Sequence, residues 1–207
     1  MELWLVRHGE STWNSVGRFQ GGLDAPLSPR GQAQAAALAA GLTQTRFDAL
    51  YTSPLRRARD TAAACQPALG LEPVAMDDLR EVGLGAWEGL TLETVLAQDG
   101  ERYRRWLEAP VDHPPPDGEP MAGLATRVRT ALDGLCRRHP EGRVLVVSHG
   151  GAISSALCGW LGRPLNAIWS LRLDNASITR VVLPAGQLLA LNETGHLAAE
   201  ARETVAP

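Results

Sequence analysis

The 207-residue chain contains no lysine, so all 20 of its basic side chains are arginine. That excludes a lysine Schiff base, a pyridoxal phosphate linkage and a P-loop lysine. An anion held by a cationic side chain must therefore be held by protonated histidine or by arginine, whose planar fork of donors fits a phosphoryl group. Cysteine is scarce: Cys65, Cys136 and Cys158 are scattered and form no C-x-x-C pair. This argues against a disulfide framework or a thiolate zinc site, and for buried free thiols. No apolar run approaches the ~18 residues that would cross a bilayer. The net charge of −3 lacks the basic excess of a nucleic-acid binder. The start of the chain shows no basic region followed by an apolar stretch and a small-residue cleavage site. The expectation is a soluble cytoplasmic protein with no membrane or nucleic-acid partner, present as a monomer or homodimer.

What is present is alternation. With 44% hydrophobic residues the chain can bury one sizeable core, and a single domain over 1–207 is expected, with a lid inserted at about 88–120. Short apolar runs at 3–6, 48–53, around 74 and at 143–148 are separated by helix-like stretches. One is "LSPRGQAQAAALAAGL", 27–42, with Ser28 placed to cap and Pro29 at the first position. In "SPLRRARDTAAACQPAL", 53–69, Ser53 and Pro54 are expected to play the same parts. Residues 91–108 and 121–138 read as further helices, and "DHPPPDGEP", 112–120, as a loop. "ASITRVVL" and "QLLALNE" flank Pro184-Ala185-Gly186 and predict a hairpin at the sheet edge. The pattern is that of an α/β protein: a three-layer α/β/α sandwich with a mostly parallel sheet and an antiparallel edge strand.

Three of the apolar runs end in reactive groups. The first ends at Arg7-His8-Gly9, the second leads into Arg56, Arg57 and Arg59, and the run at 143–148 ends at His149-Gly150-Gly151. In a parallel sheet these carboxyl ends share one edge, where open α/β folds bind ligands. Helix N-termini point there too and favour anions. Two histidines and several arginines on that edge predict an anion site, with phosphate the obvious occupant. A two-histidine metal site is the competing reading. It would want carboxylates or a third histidine, and a neighbouring arginine would oppose a cation.

The motifs carry a resemblance. "LVRHGESTWN" (5–14), "GRFQGGLDAPLSPRGQAQA" (17–35), "LYTSPLRRARDTA" (50–62), "LREVGLGAWEGL" (79–90) and "VLVVSHGGAI" (144–153) occur in the order found in the histidine phosphatase superfamily, which the chain resembles over about 150 residues. The stretch around Glu81 is similar to broad-specificity and α-ribazole phosphatases rather than to the phosphoglycerate mutases. One departure is Pro54, where many relatives carry an acidic residue.

The resemblance implies roles. His8 looks like the nucleophile that becomes phosphohistidine; Arg7, Arg57 and His149 look like the phosphoryl clamp, with Asn14, Gln20 and Gly150 as further phosphate contacts. Glu81 looks like the general acid, with Asp77, Asp78 and Glu88 as local competitors. No metal and no cofactor are required if side chains supply the positive charge. The implied activity is hydrolysis of small phosphorylated metabolites by an acid-type histidine phosphatase. A cofactor-dependent mutase and a non-catalytic phospho-ligand-binding protein are the alternatives. Trp87, Tyr103, Trp106 and Met76 are candidates either for an apolar wall facing a bulky leaving group or for ordinary core. Arg102, Arg104 and Arg105 are candidates for a second anion contact or for a solvated face. No role is assigned to His113, His139 or His196.

Overall fold

In a computed structural model, which describes residues 1–198, alternation along each strand builds two cores on opposite faces of one sheet. The strands are β1 (Glu2–Arg7), β2 (Ala49–Thr52), β3 (Pro73–Ala75), β4 (Arg143–Ser148), β5 (Ile178–Val182) and β6 (Gln187–Glu193). On β4, Val144 and Val146 enter one core while Leu145 and Val147 enter the other; on β1, Leu3 and Leu5 oppose Val6. A residue period of two forces this division. Because both faces are covered, β4 is apolar without interruption, as the sequence suggests.

The helices α1 (Pro29–Leu42) and α2 (Arg56–Leu69) supply the core that takes Val6, Leu145 and Val147. The helices α3 (Leu92–Glu108), α4 (Met121–Arg138) and α5 (Gly150–Trp160) supply the other. The result is the expected three-layer α/β sandwich. The sheet order is β3-β2-β4-β1-β5-β6. β1, β2, β3 and β4 run parallel, and β5 and β6 continue as an antiparallel pair at one edge. The expected domain boundary at 207 lies outside the described residues. Among those residues, no helix is long and apolar enough to cross a membrane.

Topology positions the site. After β1 the chain turns to α1 on one face; after β4 it turns to α5 on the other. Since β1 and β4 are neighbours, a crevice opens between their carboxyl ends. Pairing continues past both strands: His8 N–H donates to the Ser148 carbonyl at 2.9 Å, and Ser53 N–H to the Val147 carbonyl at 2.9 Å. His8, Ser53 and His149 thus emerge side by side.

Ser28 caps α1 as expected, accepting Gly31 N–H at 3.0 Å. Ser53 does not cap α2. That helix starts at Arg56, behind Leu55, with no side-chain cap, and Ser53 Oγ is engaged instead by His149 and by Leu55 N–H. A long-range partner has taken the hydroxyl that the local pattern assigned to the helix. The loop leaving β1 lies directly on α1, where a Cβ at Gly31 would stand 1.9 Å from the Glu10 carbonyl oxygen.

Gly31→Ala is therefore expected to destabilise the fold by about 2–3 kcal/mol. Gly100→Ala, beside the kink at Asp99 in α3 and with nothing within 4 Å of the added carbon, should change stability by less than about 0.5 kcal/mol. Urea denaturation of the two variants checks the contrast.

Candidate active site

A cavity of about 310 Å³ opens at the carboxyl edge, and Arg7, His8, Arg57 and Glu81 line it together with Asn14, Gln20 and Gly150. His8 is 3% exposed. Its Nδ1 lies 2.7 Å from the Gly9 carbonyl oxygen, which can only accept, so Nδ1 carries the proton. Independently, Arg57 Nε–H donates to His8 Nε2 at 3.2 Å, which requires a lone pair on Nε2. Two separate contacts fix one tautomer. Burial first, then the Arg57 and Arg7 charges, hold the imidazole well below its ordinary 6.5, so it is neutral.

The main chain around His8 is pinned by groups the motifs did not single out. Asn175 Nδ2–H donates to the His8 carbonyl at 2.9 Å. Thr61 Oγ accepts Gly9 N–H at 3.0 Å and donates to the Arg57 carbonyl at 2.7 Å. Ser11 Oγ sits within hydrogen-bond distance of Asn14 Oδ1 and Gln20 Oε1, at 3.0 and 2.7 Å. Both amide oxygens are turned toward Ser11, which leaves their NH2 groups as the donors. Asn175 and Thr61 reach the main chain of His8 and Gly9 from 167 and 52 residues away, where no local pattern marks them, whereas Ser11 and Asn14 meet locally, three residues apart.

Arg57 is 1% exposed. Its Nη1 and Nη2 donate to the carbonyls of Leu23 and Gly21 at 2.7 and 2.9 Å. Burial lowers its pKa to about 10, so the guanidinium remains charged at neutral pH. Arg7 Nη1–H donates to the Leu173 carbonyl at 2.6 Å. His149 does not line the cavity but packs its ring against His8, centroids 5.1 Å apart. Its Nε2 hydrogen-bonds Ser53 Oγ at 2.7 Å, and its buried Nδ1 has no protein partner among the described residues. Burial, then the Arg57 charge, also keeps His149 well below 6.5. The charged neighbours of both imidazoles are guanidinium groups, which repel a cation and attract an anion.

The Glu81 carboxylate rests on the N-terminus of α5. It accepts Gly151 N–H and Ala152 N–H at 3.1 Å each, and Val82 N–H at 2.9 Å. This is the helix end that favours negative charge. A Cβ at Gly151 would stand 2.5 Å from Glu81 Oε1, so the glycine makes room for the carboxylate. The three competing acids do not line the cavity. Asp77 and Asp78 are exposed, and Glu88 accepts Gly22 N–H and Leu84 N–H at 2.8 and 2.9 Å.

Beyond the charged floor the wall is largely apolar. Of the four candidate wall residues only Trp106 lines the cavity. Trp87 is core, with its indole N–H on Asp99 at 3.0 Å, and Tyr103 and Met76 pack against that core. Phe19, Trp169, Leu171 and Leu173 complete the wall, and Arg18 and Ser154 lie at its polar side. Arg102, Arg104 and Arg105 pair with Asp99 or Glu101 on the outer face of α3. His139 closes α4 and hydrogen-bonds the Tyr51 hydroxyl at 3.0 Å. His196 Nε2 reaches the Ala176 carbonyl at 3.0 Å.

Two imidazoles kept neutral in the fold become protonated when it unfolds. The unfolded state binds more protons below pH 6.5, so the stability they contribute is present above 6.5 and is lost as pH falls below it. The expected slope is about 1.4 kcal/mol per pH unit for each ring at most. Denaturant unfolding between pH 7 and 5 measures it, and NMR titration should show neither ring protonating at 6.5.

Comparison with known proteins supplies a family. Residues 3–195 match the model of the histidine phosphatase superfamily, branch 1. The chain is 39% identical to phosphoserine phosphatase 1 of Hydrogenobacter thermophilus, over 95% of this chain and 94% of that protein. It is 38% identical to the probable phosphoglycerate mutase GpmB of Escherichia coli, over 87% of this chain and 84% of that protein. Among solved structures, Bacillus stearothermophilus YhfR superposes with a TM-score of 0.86 at 29% identity, covering 95% of this chain and 98% of that one. The chain belongs to the histidine phosphatase superfamily.

Proposed function

We propose that this chain is a phosphomonoesterase of the histidine acid type, acting on small phosphorylated metabolites through a phosphohistidine on His8. The observation that carries the reading is the fixed tautomer of His8: its proton is committed to Gly9, and its Nε2 lone pair faces a buried guanidinium. A neutral imidazole so held is a competent nucleophile toward phosphorus.

The reaction begins when a phosphoryl oxygen takes the Arg57 Nε–H away from His8 Nε2. That nitrogen attacks phosphorus in line, the P–O ester bond breaks, and the leaving oxygen takes a proton from Glu81. Glu81 enters the step as the carboxylic acid, having taken that proton from the phosphate monoanion as it binds. Arg7, Arg57, the Asn14 and Gln20 amides, Gly150 N–H and the unpartnered His149 Nδ1 receive the charge spread over the equatorial oxygens. Water then attacks the phosphohistidine and gives a proton to the Glu81 carboxylate. The P–N bond breaks, and inorganic phosphate leaves. No step calls on a metal or cofactor. The leaving group lies against Phe19, Trp106, Trp169, Leu171 and Leu173, with the 88–120 segment serving as lid through Trp106.

The mutase reading draws support from the resemblance to GpmB, and the phosphatase reading from the resemblance to phosphoserine phosphatase 1. Beyond the clamp the cavity wall carries one further cation, Arg18. A bisphosphate intermediate would have to lodge its second phosphate there, which favours water as the acceptor. The free cysteines suit a cytoplasmic location, and we take the enzyme to work there as a monomer or homodimer.

The purified protein should release phosphate from 4-nitrophenyl phosphate with chelator present. His8→Ala should reduce this by at least about a thousandfold and abolish an acid-labile, base-stable phosphoryl label on the protein. Activity surviving in His8→Ala would overturn the assignment. Bisphosphate-primed isomerisation of phosphoglycerate faster than hydrolysis would replace it with the mutase.

A further inference from the structure

We propose that Arg127 and Glu119 act as a positioning clamp for Glu81, holding the main chain of residues 78–83 so that the carboxyl group swings from a fixed root. The inference rests on the reading of Glu81 as the proton donor.

The segment from Asp77 to Leu90 carries Glu81 with little regular structure of its own. It contains two single 3₁₀ turns, Asp77–Leu79 and Gly85–Trp87. Its carbonyls therefore have few ladder partners, and a backbone of this kind moves unless something else bonds it. The donors come from α4, more than forty residues on. Arg127 Nη1 donates to the carbonyls of Asp78 and Arg80 at 2.9 and 2.7 Å. Arg127 Nη2 donates to the Glu81 carbonyl at 3.0 Å and to Glu119 Oε2 at 2.8 Å. Arg127 Nε donates to Glu119 Oε1 at 2.7 Å. A guanidinium has five N–H groups, and all five are engaged. Glu119 Oε2 also accepts Gly83 N–H at 3.2 Å. The pair thus holds the carbonyls of 78, 80 and 81 and the amide of 83, bracketing Glu81.

Neither Arg127 nor Glu119 lines the cavity that holds His8, and both bond to the 78–83 segment, so the expected effect on turnover passes through Glu81. Burial opposes ionisation of Glu119, but the Arg127 hydrogen bond and charge and the Gly83 N–H outweigh it, and the carboxyl titrates below 4.5. The ion pair is therefore intact wherever the enzyme works. Its geometry suits the task. The Glu81 carboxyl must leave the N-terminus of α5 to reach a leaving-group oxygen, and a misplacement of one ångström in such a step can cost about a hundredfold. With the carbonyl of Glu81 itself held, only side-chain torsions need change. A lysine, with one nitrogen, cannot span the same carbonyls.

The test uses kcat/KM on two substrates that differ in their need for a proton donor. Phenyl phosphate has a basic leaving group, and 2,4-dinitrophenyl phosphate a weakly basic one. Glu81→Gln should lose far more activity on phenyl phosphate than on the dinitrophenyl ester. Arg127→Met and Arg127→Lys should show the same tilt in milder form, about tenfold on the first and under about twofold on the second. Adding Arg127→Met to Glu81→Gln should cost nothing further. Glu119→Gln, which keeps an acceptor for Gly83, supplies a gentler variant should Arg127→Met fold poorly, and should tilt in the same direction. Equal loss on both esters, or full additivity in the Glu81→Gln background, overturns the clamp. If Glu81→Gln itself shows no tilt, the proton-donor reading falls first and the clamp with it, so the two failures are told apart.

Discussion

A guanidinium buried against the neutral imidazole of His8 is the constraint on which the rest of this structure depends. Taking a charge out of water costs several kcal/mol even after relaxation, and Arg57 is 1% exposed. The carbonyls of Gly21 and Leu23 and the lone pair of His8 Nε2 replace part of its hydration. The more distant carboxylates of Glu81, Asp24 and Glu88 favour the charge, while Arg7 opposes it. The balance is a hollow short of negative charge, at the carboxyl edge of the sheet, beside the first turn of α5. A phosphate dianion supplies what is missing. Burial first, and the same positive field after it, keep His8 and His149 unprotonated. Together they preserve the lone pair that the proposed chemistry uses.

Much of this was legible from the sequence because it rests on local pattern. Alternation and apolar runs located the strands, Ser28 and Pro29 located the start of α1, and α4 runs over the expected residues 121–138. The convergence of His8, Arg57 and His149 followed from a topological rule, that parallel strands share a carboxyl edge. What was hidden has a common cause. Ser53 reads as a helix cap because capping is a local property, yet its hydroxyl is engaged by His149, 96 residues away. Asn175, Thr61 and Arg127 hold the main chain beside His8 and Glu81 through hydrogen bonds that span 46 residues or more, and no spacing rule marks such partners. Most of the apolar wall was missed for a similar reason. Aromatic residues near the 88–120 stretch drew attention, whereas Trp169, Leu171 and Leu173 reach the cavity from a segment that precedes β5.

The two groups proposed to react face the same problem in different forms. His8 Nε2 is occupied by Arg57 Nε–H, and the Glu81 carboxylate is occupied by two amides of α5 and by Val82 N–H. Each contact satisfies a group that would be costly to leave unpaired inside a cavity. Each must also be given up before bonds can change. In the proposed reaction a phosphoryl group begins the first exchange, its oxygens taking over the Arg57 Nε–H.

The frame around these exchanges has reason to stay still. Arg57 loses one bond out of three when the anion arrives, because Nη1 and Nη2 remain on the carbonyls of Leu23 and Gly21. His8 keeps its ring orientation, since Nδ1 remains on Gly9 and its own carbonyl on Asn175. Glu81 keeps its root, since Arg127 holds its carbonyl and those of its neighbours. In the proposed reaction, reorganisation is thereby confined to one bond at His8 and one set of side-chain torsions at Glu81. A site built this way meets the developing charge with donors already in place, which is where electrostatic catalysis has its largest effect.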